Sequence, residues 1–122
     1  MKTLITIIAI TLGIASSYAQ TKSEIQISSV EILVGGKCGM CKSRIEKIAK
    51  VEGVSKADWS LESKKLSLNY NPKLVDLDDL QKKIAAAGHD TENYKADDKV
   101  YKSLPACCKY ERLEVKVKSH KH

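Results

Sequence analysis

Two cysteines, Cys38 and Cys41, lie three residues apart in a glycine-containing segment just before a helical pattern. Thiolate is the form of cysteine that binds soft metals and attacks disulfides. Unpaired N–H groups at the start of a helix favour that form, here at Cys41 and more weakly at Cys38. With no carboxylate close by in sequence, the pair suits a soft ion such as Cu(I) better than Mg²⁺ or Ca²⁺.

The position of this CxxC motif separates metal binding from redox chemistry. In thioredoxin-like chains the motif is associated with a βαβ unit, whereas only about ten residues of strand precede Cys38 here. The two prolines, Pro72 and Pro105, fall at a strand end and in the tail rather than beside the motif. The pattern therefore favours a metal site, with a thiol–disulfide oxidoreductase and a disulfide-stapled interaction domain as alternatives. No nucleophile–base pair or pair of carboxylates points to an enzyme.

Two adjacent cysteines, Cys107 and Cys108, and the methionine inside the motif, Met40, are further candidate ligands. Adjacent cysteines chelate one ion poorly without backbone strain. Three interpretations stay open: the pair shares a metal with the motif, forms a disulfide with itself or another chain, or forms a second soft-metal docking point. Met40 either contacts Cu(I) through its thioether or packs on the domain.

Alternating and helical hydrophobic patterns predict the elements that position these residues. We expect a strand over 29–34, a helix from Cys41 to a stop at Gly53, and strands over 57–61 and 66–70 joined by a turn. A helix capped by Asp76 follows over 76–87, and then a polar, edge-type strand over 89–94. This order predicts an α+β two-layer sandwich over 29–95, with 96–122 as a C-terminal tail. Tyr101, Leu104 and Tyr110 give the tail enough apolar surface to dock on the domain.

The length and charge of the chain restrict its class. The 122 residues allow one small domain with tails and exclude most multi-domain enzymes. The 21 Lys+Arg and 15 Asp+Glu give a formal net charge of +6, with lysines alternating with acids on the predicted helices. No basic stripe interleaved with aromatic residues is present, so nucleic-acid binding is not expected.

Residues 1–19 have the pattern of a signal peptide. Lys2 precedes a short apolar run over 4–14, and the residues up to Ala19 fit a small-x-small cleavage site. We expect an exported chain, periplasmic or secreted, that begins at Gln20 with a polar lead-in over 20–28. The alternative is a retained N-terminal anchor, but the apolar run is shorter than the ~20 residues that span a bilayer, so no stable membrane insertion is expected.

The segment 35–41, the helix stop at Gly53, the break at 70–72 and the helix end at 86–88 together resemble the heavy-metal-associated domain family. This family includes copper chaperones, modules of copper-pumping ATPases and periplasmic mercury-binding proteins. The resemblance covers 29–95 and implies a ferredoxin-like βαββαβ fold with a soft metal held by Cys38 and Cys41. It implies Cu(I) first, with Hg(II), Zn(II) or another soft metal as alternatives. The resemblance also implies that the chain delivers its metal ion to a transport or efflux protein by thiolate exchange. The chain would act as a monomer or as a weak metal-bridged dimer.

The resemblance also draws attention to His89 and to the residues before the first cysteine. The family residue after the second helix faces the metal loop, so His89 is either a third ligand, a cation that tunes the thiolates, or an exposed histidine at a strand start. The family usually has Met-Thr before the first cysteine, with the methionine packed in the core. Here those positions are Gly36 and Lys37.

Overall fold

A computed structural model describes residue 13 and residues 26–114 of the chain. The predicted signal peptide over 1–19, apart from Gly13, lies outside the described residues, as does most of the polar lead-in. The C-terminal histidines, His120 and His122, also lie outside them. Within the described part of the chain, no helix is long and apolar enough to cross a membrane.

Three antiparallel strands form the sheet: β1 (Ser28–Leu33), β2 (Val54–Trp59) and β3 (Lys65–Tyr70), in the order β1-β3-β2. In this register Leu66 of β3 lies opposite both Ile32 of β1 and Trp59 of β2. The three side chains are buried, as the alternating pattern predicts. The prediction that β2 extends to Leu61 is wrong, because the chain turns after Trp59 and leaves Leu61 about half exposed, at 48%.

Two helices pack with the sheet in one hydrophobic cluster: α1 (Gly39–Ala49) and α2 (Leu77–Ala86). The Asp76 carboxylate accepts hydrogen bonds from the N–H groups of Asp78 and Asp79, which confirms the predicted cap of α2. Helix α1 begins at Gly39 rather than Cys41 and ends well before Gly53. The α+β two-layer fold is confirmed.

The predicted fourth strand over 89–94 is wrong in extent. It is reduced to a single antiparallel bridge between Val34 and Thr91. Two backbone hydrogen bonds flank the bridge, from the N–H of Gly35 to the Asp90 carbonyl and from the N–H of Glu92 to the Leu33 carbonyl. The chain turns back at once, because the Thr91 hydroxyl accepts a hydrogen bond from the N–H of Tyr94 at 3.0 Å. Asn, Asp, Ser and Thr side chains commonly close turns in this way, at the expense of a longer strand ladder.

The segment 96–114, here called the C-terminal extension, folds back onto the domain. It contains α3 (Asp98–Lys102) and a 3-10 turn (Ala106–Cys108). Leu104, Cys108 and Tyr110 are buried and belong to the same hydrophobic cluster as the sheet and helices. The expected docking of the extension through apolar side chains is therefore observed, with Cys108 as an additional buried group.

Candidate metal centre

The segment between β1 and α1 packs on the indole of Trp59. The indole N–H donates to the Val34 carbonyl at 3.0 Å, and the side chain is fully buried. A β-carbon at Gly36 would lie 2.7 Å from Trp59 Cζ2. Trp59 therefore occupies the space that a side chain at position 36 would need, which explains why this chain has glycine where the family usually has a core methionine.

Three cysteine sulfurs meet where this segment enters α1. The Cys38 Sγ lies 3.6 Å from that of Cys41 and 3.5 Å from that of Cys108. All three sulfur atoms lie within 4.8 Å of one another. Cys41 and Cys108 are buried and Cys38 is partly exposed. We call these three residues the sulfur triad; within the described chain each is a free cysteine.

Helix α1 starts directly after Cys38. Because α1 begins at Gly39, Cys38 is the N-cap residue, whereas the sequence predicted that the helix starts at Cys41. Its sulfur makes no capping hydrogen bond of ordinary geometry, yet it lies near free N–H groups of the first turn. The N–H of Cys41, then the neighbouring thiols and the N–H of Met40, lower the pKa of Cys38 to about 6 against the opposing effect of burial.

The pKa of Cys108 is shifted in the opposite direction to that of Cys38. Burial is the main cause, followed by its contacts with the Cys41 and Cys38 sulfurs, and together they raise the pKa of Cys108 to about 12. These opposite pKa shifts favour a thiolate at Cys38 and a protonated thiol at Cys108 near neutral pH in the metal-free protein. A donor set made only of sulfur suits Cu(I) and other soft ions.

The thiolate at Cys38 should be measurable as a pH profile. In reduced, metal-free protein, the rate of Cys38 alkylation by iodoacetamide should be half-maximal at about pH 6 and fall below it, because protonation removes the nucleophile. Mass spectrometry of peptides assigns the alkylated residue, and an unstructured model peptide with one cysteine is the reference, with its midpoint at about 8.5. A Cys38 midpoint near that of the reference would contradict the role given to the N-terminus of α1.

Met40 and Cys107 lie together outside the triad. The Cys107 thiol is 3.6 Å from the Met40 sulfur and 3.9 Å from the Cys108 sulfur. Both residues are exposed, and the exposed fraction of Met40 is 54%. The structure thus divides the adjacent cysteines, with Cys108 inside the triad and Cys107 at the surface. Neither forms a disulfide in the described chain.

The interpretation of His89 as an exposed residue is wrong, because its side chain is fully buried. Its Nδ1 lies 2.9 Å from the Gly35 carbonyl, and its Nε2 lies 3.5 Å from the Arg44 guanidinium. Burial lowers the pKa of His89, and the Arg44 charge adds to this effect. A neutral ring that donates from Nδ1 to Gly35 fits these contacts. His89 contacts the backbone of the segment between β1 and α1, as the resemblance implies, but lies outside the triad, and a ligand role for it stays a prediction.

Sequence reasoning missed the residues that hold the extension in place. Asp90 is fully buried, and its carboxylate accepts from Arg112 Nε at 2.7 Å and from Arg112 Nη2 at 2.8 Å. The Tyr110 hydroxyl donates to the Gly88 carbonyl at 2.6 Å and accepts from the N–H of Asp90 at 2.8 Å. One signal was available: Arg112 is one of only two arginines in a chain rich in lysine, and arginine is the usual partner of buried carboxylates.

The family model for the heavy-metal-associated domain matches residues 31–90. A copper-exporting P-type ATPase from Staphylococcus saprophyticus is 34% identical over 64 residues, which are 52% of this chain and 8% of the ATPase. The chain thus spans a small part of the length of that curated relative. The C-terminal extension lies beyond the family match.

Several solved structures are also similar to this chain. The CopZ metallochaperone is 32% identical with a TM-score of 0.50, over 52% of this chain and 98% of that one. Oxidised MerP from Ralstonia metallidurans CH34 is 31% identical with a TM-score of 0.50, over 54% and 94% of the two chains. The N-terminal domain of a potential copper-translocating P-type ATPase from Bacillus subtilis, in its Cu(I)-loaded state, is 29% identical with a TM-score of 0.51, over 54% and 85%.

Proposed function

The chain belongs to the heavy-metal-associated domain family, and we propose that it holds Cu(I) through Cys38 and Cys41 for transfer or sequestration. It acts on no substrate bond in this proposal and is a metal carrier rather than an enzyme. Hg(II), Zn(II) and other soft metals are the alternative cargoes, because thiolates also bind these ions.

The observation that carries the proposal is the paired sulfurs of Cys38 and Cys41, 3.6 Å apart at the start of α1. One sulfur is favoured as thiolate near neutral pH, so little work is needed to prepare it for a cation. Trp59 supports the segment that leads to these sulfurs, because its indole N–H donates to the Val34 carbonyl and its ring packs against Gly36. Relatives whose names refer to copper support Cu(I) as the first candidate.

The relatives also support a partner class. A metallochaperone and domains of copper-transporting ATPases are similar to this chain, so a metal-transporting or efflux protein is the proposed recipient. Transfer would proceed by ligand exchange, in which a thiolate of the recipient binds the ion before a thiolate of this chain leaves. The relatives are metal-binding modules, which favours this role over the thiol–disulfide oxidoreductase alternative.

Export of the chain is part of the proposal and is supported by the sequence of residues 1–19. The basic start, the short apolar run and the small residues before Gln20 are typical of a cleaved signal. A periplasmic or secreted carrier would need its thiols protected from oxidation, because disulfides persist outside the cytosol. A bound soft metal provides that protection by occupying the thiolates.

The test is a titration of the reduced, full-length protein with Cu(I) in the presence of a competing chromogenic chelator. Wild type should bind one Cu(I) per chain, and the double variant Cys38→Ser/Cys41→Ser should lose at least about a hundredfold in affinity, because hydroxyls replace both thiolates. Cys107→Ser is the matched control, since it removes one exposed thiol at the surface. Binding by the double variant at wild-type strength would sink the proposal.

A further inference from the structure

The C-terminal extension brings a third thiol to the paired cysteines. Cys108 lies 70 positions after Cys38 in sequence, yet its sulfur is 3.5 Å from that of Cys38 and its side chain is fully buried. From this we infer that Cys108 is a third cargo ligand. Its thiol releases its proton to solvent as the metal–sulfur bond forms, which converts the two-cysteine loop into a three-thiolate site. The inference rests on the proposed function, because it concerns the same bound ion.

The spacing of the sulfur triad fits one ion bound by three thiolates. For a metal–sulfur bond of about 2.3 Å, three sulfurs in a plane around the ion are about 4.0 Å apart. The measured separations of Cys38 from its two partners are 3.5 and 3.6 Å, and no separation in the triad exceeds 4.8 Å. Shifts of the sulfur atoms by less than about 1 Å, which side-chain rotation can provide, therefore bring all three separations to this value.

The position of Cys108 is fixed by contacts that do not involve sulfur. Tyr110, two residues later, bonds to Gly88 and Asp90 through its hydroxyl. The Tyr101 hydroxyl donates to the Tyr110 carbonyl at 2.6 Å, and Arg112 pairs with the buried Asp90. Leu104 packs over Gly88. The third thiol is thus held at the site before any ion arrives, which lowers the entropic cost of recruiting it.

The adjacent cysteine offers a comparison within the same turn. Cys107 has the same chemistry and is one position away, but it is exposed and contacts Met40 outside the triad. A general effect of thiols in the extension would involve both residues. A three-thiolate site predicts that only Cys108 matters for the affinity. Such a site also predicts slower release, because a recipient must replace three bonds rather than two.

The experiment compares Cys108→Ser with Cys107→Ser in the reduced, full-length protein loaded with one Cu(I). We expect Cys108→Ser to lose at least about tenfold in Cu(I) affinity by chelator competition and to release Cu(I) faster, with Cys107→Ser unchanged. Equal affinities for Cys108→Ser and wild type would overturn the inference. Cys108→Ala replaces the serine variant if circular dichroism shows that the buried hydroxyl disturbs the fold.

A second measurement does not depend on any variant. X-ray absorption at the copper edge of the wild-type complex should show three sulfur neighbours around the ion. If the wild-type complex with one Cu(I) per chain shows only two sulfur neighbours, the role of Cys108 is overturned and the proposed function stays intact. Loss of binding on removal of Cys38 and Cys41 tests the proposed function separately, so the failures of the two proposals are distinguishable.

Discussion

Replacing Arg112 with leucine should lower the free energy of unfolding by about 3 kcal/mol at pH 7, the lower part of the range for breaking a buried ion pair. The Asp90 carboxylate is fully buried, and Arg112 provides two of its hydrogen bonds and its only salt bridge in the described chain. Without the guanidinium, the carboxylate keeps the N–H groups of Ala96 and Leu113 but has no opposing charge. The Arg112 side chain is 21% exposed, so water reduces the cost below that of a fully buried pair.

Urea unfolding followed by far-UV circular dichroism measures this loss. Glu31→Gln is the matched control: it removes an ion pair with Lys65 whose side chains are 61% and 52% exposed, so its effect should stay below about 1 kcal/mol. Arg112→Leu and Glu31→Gln with the same small effect would show that the Asp90 pair does not anchor the extension.

Replacing Trp59 with alanine should lower the free energy of unfolding by about 3–5 kcal/mol, the range for deleting a large buried aromatic side chain. Trp59 is fully buried in the cluster formed by the sheet and α1. Its loss leaves a cavity directly beneath Gly36 and an unpaired Val34 carbonyl. Since small domains have only about 5–15 kcal/mol of stability in total, this loss removes a substantial fraction of it and should clearly lower the midpoint of thermal unfolding.

The control for this change is Trp59→Phe, which keeps an aromatic ring in the cluster but removes the indole N–H. We expect it to cost about 1–3 kcal/mol, mostly from the unsatisfied Val34 carbonyl. Thermal unfolding by circular dichroism ranks wild type, Trp59→Phe and Trp59→Ala in that order. Equal losses for the two variants would mean that ring volume does not contribute, contrary to the packing against Gly36.

Local patterns in the sequence were enough for most of the elements. The cap at Asp76, the break at Pro72 and the alternation through Leu66 and Leu68 depend on neighbours within a few residues. The length of the fourth strand was overestimated, because the sequence pattern alone does not reveal that the Thr91 side chain closes a turn. The helix α1 starts at Gly39 rather than at Cys41, because Cys38 has the extended backbone of an N-cap and the next residue is already helical.

The close approach of Cys38 and Cys41 could be predicted from the sequence, because a separation of three residues at a helix start brings two thiols together through local backbone geometry alone. The burial of His89 and the third thiol at Cys108 were decided only by the tertiary structure. Cys108 reaches Cys38 across 70 positions because Tyr110 and Arg112 fasten the extension to Gly88 and Asp90. Such contacts depend on the packing of the whole chain, so the sequence alone left three interpretations of the adjacent cysteines open. The fold places Cys108 in the triad and Cys107 at the surface.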